Sequence, residues 1–230
     1  AKLNITMEGE VTSFLGVTID KQSDGTIKFS QPLLIKKILK ALSFKENTKT
    51  KKIPMSSTTK LLSHKESPKF DNSFNYRSII GMLNYLDAGS RSDIAYATHQ
   101  SARFTTDPRL KHADAVRWIG RYLKGTQKEG MTFKPDTTTG LEVYVDADFS
   151  GNWDQIMAAE DRDTARSRHG YIIKYMGCPI IWKSQLQTEI ALSSTESEYT
   201  RLSYALRDAV PIMSILQEMQ TFGLSVTPEN

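Results

Sequence analysis

Two short runs of this chain carry carboxylates in a pattern that suits metal-ion chemistry. The first is Leu141-Glu142-Val143-Tyr144-Val145-Asp146-Ala147-Asp148-Phe149. The second, further along, is Ser193-Ser194-Thr195-Glu196-Ser197-Glu198-Tyr199. Carboxylates brought together from separate elements can hold Mg²⁺ for phosphoryl-transfer chemistry. Side chains alternate faces along a strand. Leu141, Val143 and Val145 therefore share one face and are expected in a core, while Tyr144, Asp146 and Asp148 share the other. Asp146 falls where the apolar run gives out, so it is expected near the strand's end, half-buried and reachable by an ion. In the second run Ser193 and Glu196 fit a capping box. At roughly 100° per residue, Glu198 lies on the side of Leu202, Ala205 and Ala209, with Tyr199, Leu206 and Val210 continuing that arc. Glu196 then reads as a cap and Glu198 as the inward carboxylate. The residues alone leave a second arrangement open, in which Asp146 and Glu198 flank separate surfaces, because such carboxylates are common.

The elements that must position these groups follow from pattern. Residues 11 to 31 predict a hairpin, with Phe14, Val17 and Ile19 on one strand, Ile27 and Phe29 on the other, and Ser23-Asp24-Gly25-Thr26 as the turn. Pro32 opens a helix. Residues 43 to 72, rich in Lys, Ser, Thr and Pro, predict a loop long enough to cover a surface. Three helices are expected next: Phe74 to Asp87, Ser92 to Phe104 with Ser92 as cap, and Leu110 to Lys124 with Trp118, Ile119, Tyr122 and Leu123 inward. Met131 to Phe133, Leu141 to Asp148, Gly170 to Met176 and Pro179 to Trp182 read as strands, with a turn at Gly177-Cys178-Pro179. Helices are expected over Ser194 to Arg207 and Ala209 to Phe222. The stretch from Ser150 to His169, carrying Asp154, Glu160, Asp161, Asp163, Arg162, Arg166 and Arg168, reads as an exposed excursion with internal charge pairing. The order suits an α/β (α+β) domain with helices packed on a mixed sheet.

Composition narrows the classes. Of 230 residues, 39% are hydrophobic and 24% charged, and the net charge is +4 with a pI near 9.0. This mild basicity is compatible with nucleic acid. Lys36, Lys37, Lys40, Lys45, Lys49, Lys51 and Lys52 form a block that could neutralise phosphates or simply be solvated. Arg117, Arg121 and Lys124 make a basic stripe along one helix, open to the same two readings. The lone Cys178 suits a reducing compartment and reads as a buried thiol. No stretch approaches the ~20 apolar residues that span a bilayer. Ala1-Lys2-Leu3-Asn4 lacks the features of a signal peptide. His64, His99, His112 and His169 show no ligand spacing with one another or with Cys178. A phosphate-binding glycine loop, a dinucleotide fingerprint and a hydrolase nucleophile elbow are all missing.

Three stretches, in order, resemble copia-type retrotransposon Pol polyproteins. "FLGVTIDKQSDGTIKFSQPLLIKKILKAL" resembles the end of the family's reverse transcriptase. "YRSIIGMLNYLDAGSRSDIAYATHQSARFTTDPRLKHADAVRWIGRYLKGT" resembles its connection, and "VYVDADFSGNW…TARSRHGYIIKYMGCPIIWKSQLQTEIALSSTESEY" its ribonuclease H region. The resemblance implies residues 1–72 as the end of reverse transcriptase, 73–128 as a helical connection, and 129–230 as the first part of a ribonuclease H-like domain. That fold opens with three antiparallel strands and then a helix. Asp146 and Glu198 match the family's first metal-binding aspartate and its glutamate. Asp148 and Glu196 match frequent residues that are not expected ligands. The implied parent activity is Mg²⁺-dependent, or Mn²⁺-dependent, hydrolysis of the RNA strand of RNA–DNA hybrids. The implied partners are the hybrid and the rest of the polyprotein, with no membrane, in the cytoplasm (virus-like particle) or nucleus. The family's third and fourth carboxylates and its Y-x-D-D polymerase hairpin have no counterpart here. The chain is therefore expected to be a fragment with impaired activity and an exposed sheet edge prone to association. A non-catalytic nucleic-acid-binding or structural remnant, and a degenerate remnant, remain as alternatives.

Overall fold

The computed structural model describes residues 9–56, 60–63, 65–148, 151–159 and 161–226. His64, Phe149, Ser150, Glu160 and the run Ala1 to Asn4, which enter the expectations above, lie outside the described residues. The chain forms helices and two antiparallel sheets, a mixed α/β architecture. No helix among the described residues is long and apolar enough to cross a membrane.

The first sheet has the order β1 (Ser13–Phe14), β2 (Val17–Lys21), β3 (Ile27–Ser30), β4 (Met131–Phe133). The expected hairpin of β2 and β3 is its centre, but Phe14, expected on the same strand as Val17, sits on β1 and pairs with Val17 across a turn at Leu15-Gly16; the Asp24 carboxylate accepts the Thr26 N–H at 3.0 Å. Met131–Phe133, grouped above with the later strands, instead pairs with β3, Phe29 opposite Met131 and Ile27 opposite Phe133. The rings of Phe29 and Phe133 lie 4.8 Å apart on this sheet. Gly130 makes the approach possible, since a Cβ there would run into the carbonyl oxygen of Phe29.

Four helices, α1 (Pro32–Ala41), α2 (Tyr76–Ser90), α3 (Ala95–Ala102) and α4 (Leu110–Gly125), form a bundle, with α2 against β3. Ile35, Ile38, Ile79, Leu83, Leu86, Val116, Ile119 and Leu123 build one core among them. That core joins α1 to the three helices after it, across the boundary expected at residue 72. The described residues of the 43–72 segment are irregular, as expected, and cover the bundle with Leu61, Leu62 and Phe70 buried. Ser92 is not a cap. It starts a 3-10 turn, Ser92–Ile94, that leads into α3. The cap of α2 is Asn75, whose side chain accepts the Ser78 N–H at 2.9 Å.

The second sheet is β5 (Leu141–Asp148), β6 (Arg168–Tyr175) and β7 (Cys178–Leu186), all antiparallel, followed by α5 (Ser194–Thr221). Three antiparallel strands and then a helix is the expected order. The β6–β7 turn is Met176-Gly177, both at positive φ (53° and 72°), which suits a two-residue hairpin. Cys178 opens β7 and is buried, as expected of a structural thiol. The two helices expected after residue 194 are one. Pro211 lacks an N–H and crowds the preceding turn, but Ala209, Ile212 and Leu216 keep packing on the protein side of it and the helix runs through. The loop before β6 docks on the helices by charge, Arg103 meeting Asp163 at 3.1 Å, and is braced internally by Arg166 on Asp163 at 2.9 Å.

Candidate active site

Asp146 is third from the end of β5, where alternation puts it. Its register partner is Gly170, and Ser184 lies next on β7. Its side chain is fully exposed, not half-buried. Val143 and Val145, expected in the core, are 36% and 38% exposed. Among the described strands β5 is an edge, so its side chains are covered from one flank only.

The helix start behaves as its capping pattern predicts. Ser193 Oγ accepts the Glu196 N–H at 3.1 Å, and the Glu196 carboxylate accepts the Leu192 N–H at 2.7 Å. Glu196 is thus a cap. The inward arc is rotated from expectation. The buried row is Ser197, Arg201, Ala205 and Ala209, at i, i+4 spacing, while Tyr199, Leu202, Leu206 and Val210 face solvent. Small residues win the inner face because they let the helix close on Tyr171 and Ile173. Gln187 anchors the first turn, donating to the Ser197 carbonyl at 2.9 Å. Glu198, one position from the buried row, is exposed.

Arg201, three residues after Glu198 on α5, lies beside Asp146. Its side chain is 7% exposed, and its Nη1 is 3.9 Å from Asp146 Oδ1. Burial pulls its pKa down, while the charges of Asp146 and Glu198 act to hold its proton. Its Nε has no hydrogen-bond partner. The one available signal was the i, i+4 row of small residues into which it is set.

Further basic residues lie nearby. His169 is buried and stacked on Tyr204 at 4.8 Å. Its pKa is pushed down to about 4 by burial and by Arg168, Arg201 and Lys183. Arg168, also buried, bonds His99 Nδ1 at 3.1 Å and lies over the Tyr96 ring; burial takes its pKa down to about 10. Lys183 is paired with Asp208 at 2.7 Å, and Tyr171 donates to the same carboxylate.

Asp146 and Glu198 line different clefts. Asp146, with Tyr96, Tyr144 and Trp182, lines one of about 560 Å³. Glu198 and Arg201, with Thr195 and Tyr199, line another of about 490 Å³. Hard carboxylate oxygens suit Mg²⁺ or Mn²⁺. Among the described residues, however, no three Asp, Glu, His or Cys side chains gather to hold an ion, and the buried Arg201 already lies 3.9 Å from Asp146. As arranged, this donor set does not fit a two-ion site.

The other candidate residues divide. Lys36, Lys37 and Lys40 are exposed on the outer side of α1. In the stripe on α4, Arg117 pairs with Asp114 at 3.0 Å and donates to Ser73. Lys124 donates to the carbonyls of Lys45, Glu46 and Thr48, fastening the lysine-rich loop. Arg121 is half-buried, with an Nε that has no hydrogen-bond partner.

Fold and site together define a mixed α/β chain with a carboxylate-bearing strand edge beside a capped helix start. Over 217 residues it is 30% identical to the retrovirus-related Pol polyprotein from transposon TNT 1-94 of Nicotiana tabacum, covering 92% of this chain and 16% of that protein. Over 166 residues it is 35% identical to the retrovirus-related Pol polyprotein from transposon RE1 of Arabidopsis thaliana, covering 72% and 11%. It is also 38% identical over 135 residues to the secreted RxLR effector protein 161 of Plasmopara viticola, covering 59% and 89%. No family model and no solved structure matches the chain. The chain belongs to the copia-type retrotransposon Pol polyproteins, and it spans only 11% to 16% of the length of the two Pol polyproteins above.

Proposed function

We propose that this chain is the part of a retrotransposon Pol polyprotein that carries the beginning of a ribonuclease H site. The parent reaction is hydrolysis of the RNA strand of an RNA–DNA hybrid, with Mg²⁺ (or Mn²⁺) as cofactor. Asp146 and Glu198 are its candidate carboxylates, and activity in this chain is impaired. One observation carries the reading: the strand carboxylate of Asp146 comes within 3.9 Å of Arg201, on the helix that carries Glu198, though the two are far apart in sequence. Such a protein would grip the hybrid by its backbone and its 2′-hydroxyls and read no bases. It would act with the rest of the polyprotein, in a reducing intracellular compartment.

The test is incubation of the folded chain with an end-labelled RNA–DNA hybrid in Mg²⁺ or Mn²⁺, beside Asp146→Asn and Glu198→Gln. Slow cleavage confined to the RNA strand and lost in Asp146→Asn is expected. Cleavage that survives this substitution, or no cleavage at all, overturns the catalytic reading for the chain. The exposed lysines of α1 favour a second reading, non-catalytic binding of nucleic acid. Steeply salt-dependent duplex binding, unchanged by Asp146→Asn, supports it; no binding at low salt excludes it.

A further inference from the structure

We propose that Arg201 is a built-in counterion of the Asp146–Glu198 pair, occupying the electrostatic place of a divalent cation and weakening cation binding in this chain. The inference rests on the assignment of Asp146 and Glu198 as the candidate pair, and it does not require that the chain cleave anything.

Arg201 follows Ser197 by one helical turn, so it lies on the buried row of α5, three residues from Glu198. A guanidinium stays charged at any ordinary pH. Buried, it must be compensated by nearby negative charge. The acidic groups that act on it are Asp146 and Glu198, and the Asp146 carboxylate is 3.9 Å away.

The other acids nearby are engaged elsewhere. Asp208 is held by Lys183 and Tyr171. Asp148 acts on Arg168. Arg168 and Lys183 add positive charge on the same side, as the depressed His169 records. A divalent ion arriving at Asp146 would meet a fixed positive charge within 3.9 Å of that carboxylate, and like charges this close repel. The unpartnered Nε fits this role: Arg201 is placed by charge, without a full set of hydrogen bonds.

The test is direct titration with Mn²⁺, followed by the electron paramagnetic resonance signal of the free ion. The proteins are the whole chain, Arg201→Met, Arg201→Lys, and Arg201→Met combined with Asp146→Asn. Arg201→Met keeps the apolar stem and removes the charge. It is expected to tighten Mn²⁺ binding by about tenfold or more, Arg201→Lys to leave binding as weak as in the parent, and the double variant to lose the gain. A folded Arg201→Met that binds Mn²⁺ no more tightly overturns the proposal, and so does a gain that survives Asp146→Asn. Should Arg201→Met not fold, the melting temperature of Asp146→Asn decides. A counterion removed from a buried arginine lowers it, which supports the proposal; an unchanged or raised value overturns it. Because these readouts are ion binding and stability, a failure to cleave hybrid would defeat the catalytic reading and leave this one standing.

Discussion

Arg91, at the end of α2, has 2% of its side chain exposed. Its guanidinium holds Asp93 with two bonds, at 2.9 and 2.8 Å, and donates to the carbonyl and hydroxyl of Thr126. Tyr122 donates to the same aspartate at 2.6 Å. One side chain thus ties α2, the 3-10 turn and the end of α4. Arg91→Met should destabilise the protein by about 3 kcal/mol, measured by urea unfolding, and Arg91→Lys should recover only part of this because it lacks the planar fork. Neither Arg91 nor Arg201 was legible in the sequence. A buried arginine looks like a surface arginine until its partners, remote along the chain, come together. Asp146 and Glu196 were legible, because strand alternation and capping are local rules.

Elements carry their own tests. In α5 Pro211 is exposed and interior to the helix. Ala restores a hydrogen bond and removes the ring's clash, so Pro211→Ala should stabilise the chain by roughly 1–3 kcal/mol, read as a higher melting temperature. A drop would mean that the ring packs against something it does not touch here. In α1, Lys36, Lys37 and Lys40 share the outer face, opposite buried Ile35 and Ile38. If α1 contacts phosphates, replacing the three with Gln should lower the slope of log affinity against log salt by about 0.9 per lost contact. Fluorescence anisotropy with a labelled hybrid measures this, and an unchanged slope removes α1 from the interface. The extent of α5 was misjudged from sequence because a proline inside a helix is usually read as an end. Its rotation was misjudged because hydrophobicity favours Leu202 and Leu206, whereas close packing on a small sheet favours Ser197, Ala205 and Ala209.

The whole molecule should lose stability in mild acid. Burial, with Arg168 and Arg103, pushes the pKa of His99 down to about 4; His169 is likewise at about 4. Below pH 6.5 the unfolded chain takes up protons that these folded histidines refuse, so stability falls as pH drops towards 4. Asp87 works the other way. Burial raises its carboxyl to about 6, with Asp93 adding to the rise and the Trp182 N–H opposing it. It is charged in the unfolded chain above 3.8 while still protonated in the fold, so it loses stability as pH rises from about 4 to 6. Two histidines outweigh one aspartate, and the melting temperature should be lower at pH 4.5 than at pH 7. Asp87→Asn should raise it at pH 7.5 and have little effect at pH 4. Equal gains at both values would show that the charge of Asp87 is not what costs stability.

Most of the strands and helices, the cap at Ser193, the buried Cys178 and the family can be read from residue order. Each rests on rules that act within a few residues, or on motifs that survive unaligned. Tertiary structure alone decided the rest. It moved Met131–Phe133 to the first sheet, because the glycine before it lets two backbones meet. It merged α1 with the later helices in one core. It turned α5 so that an arginine, and not a glutamate, faces inward. Such outcomes depend on which surfaces close against each other and which charges are left to compensate one another, and one-dimensional spacing does not record either.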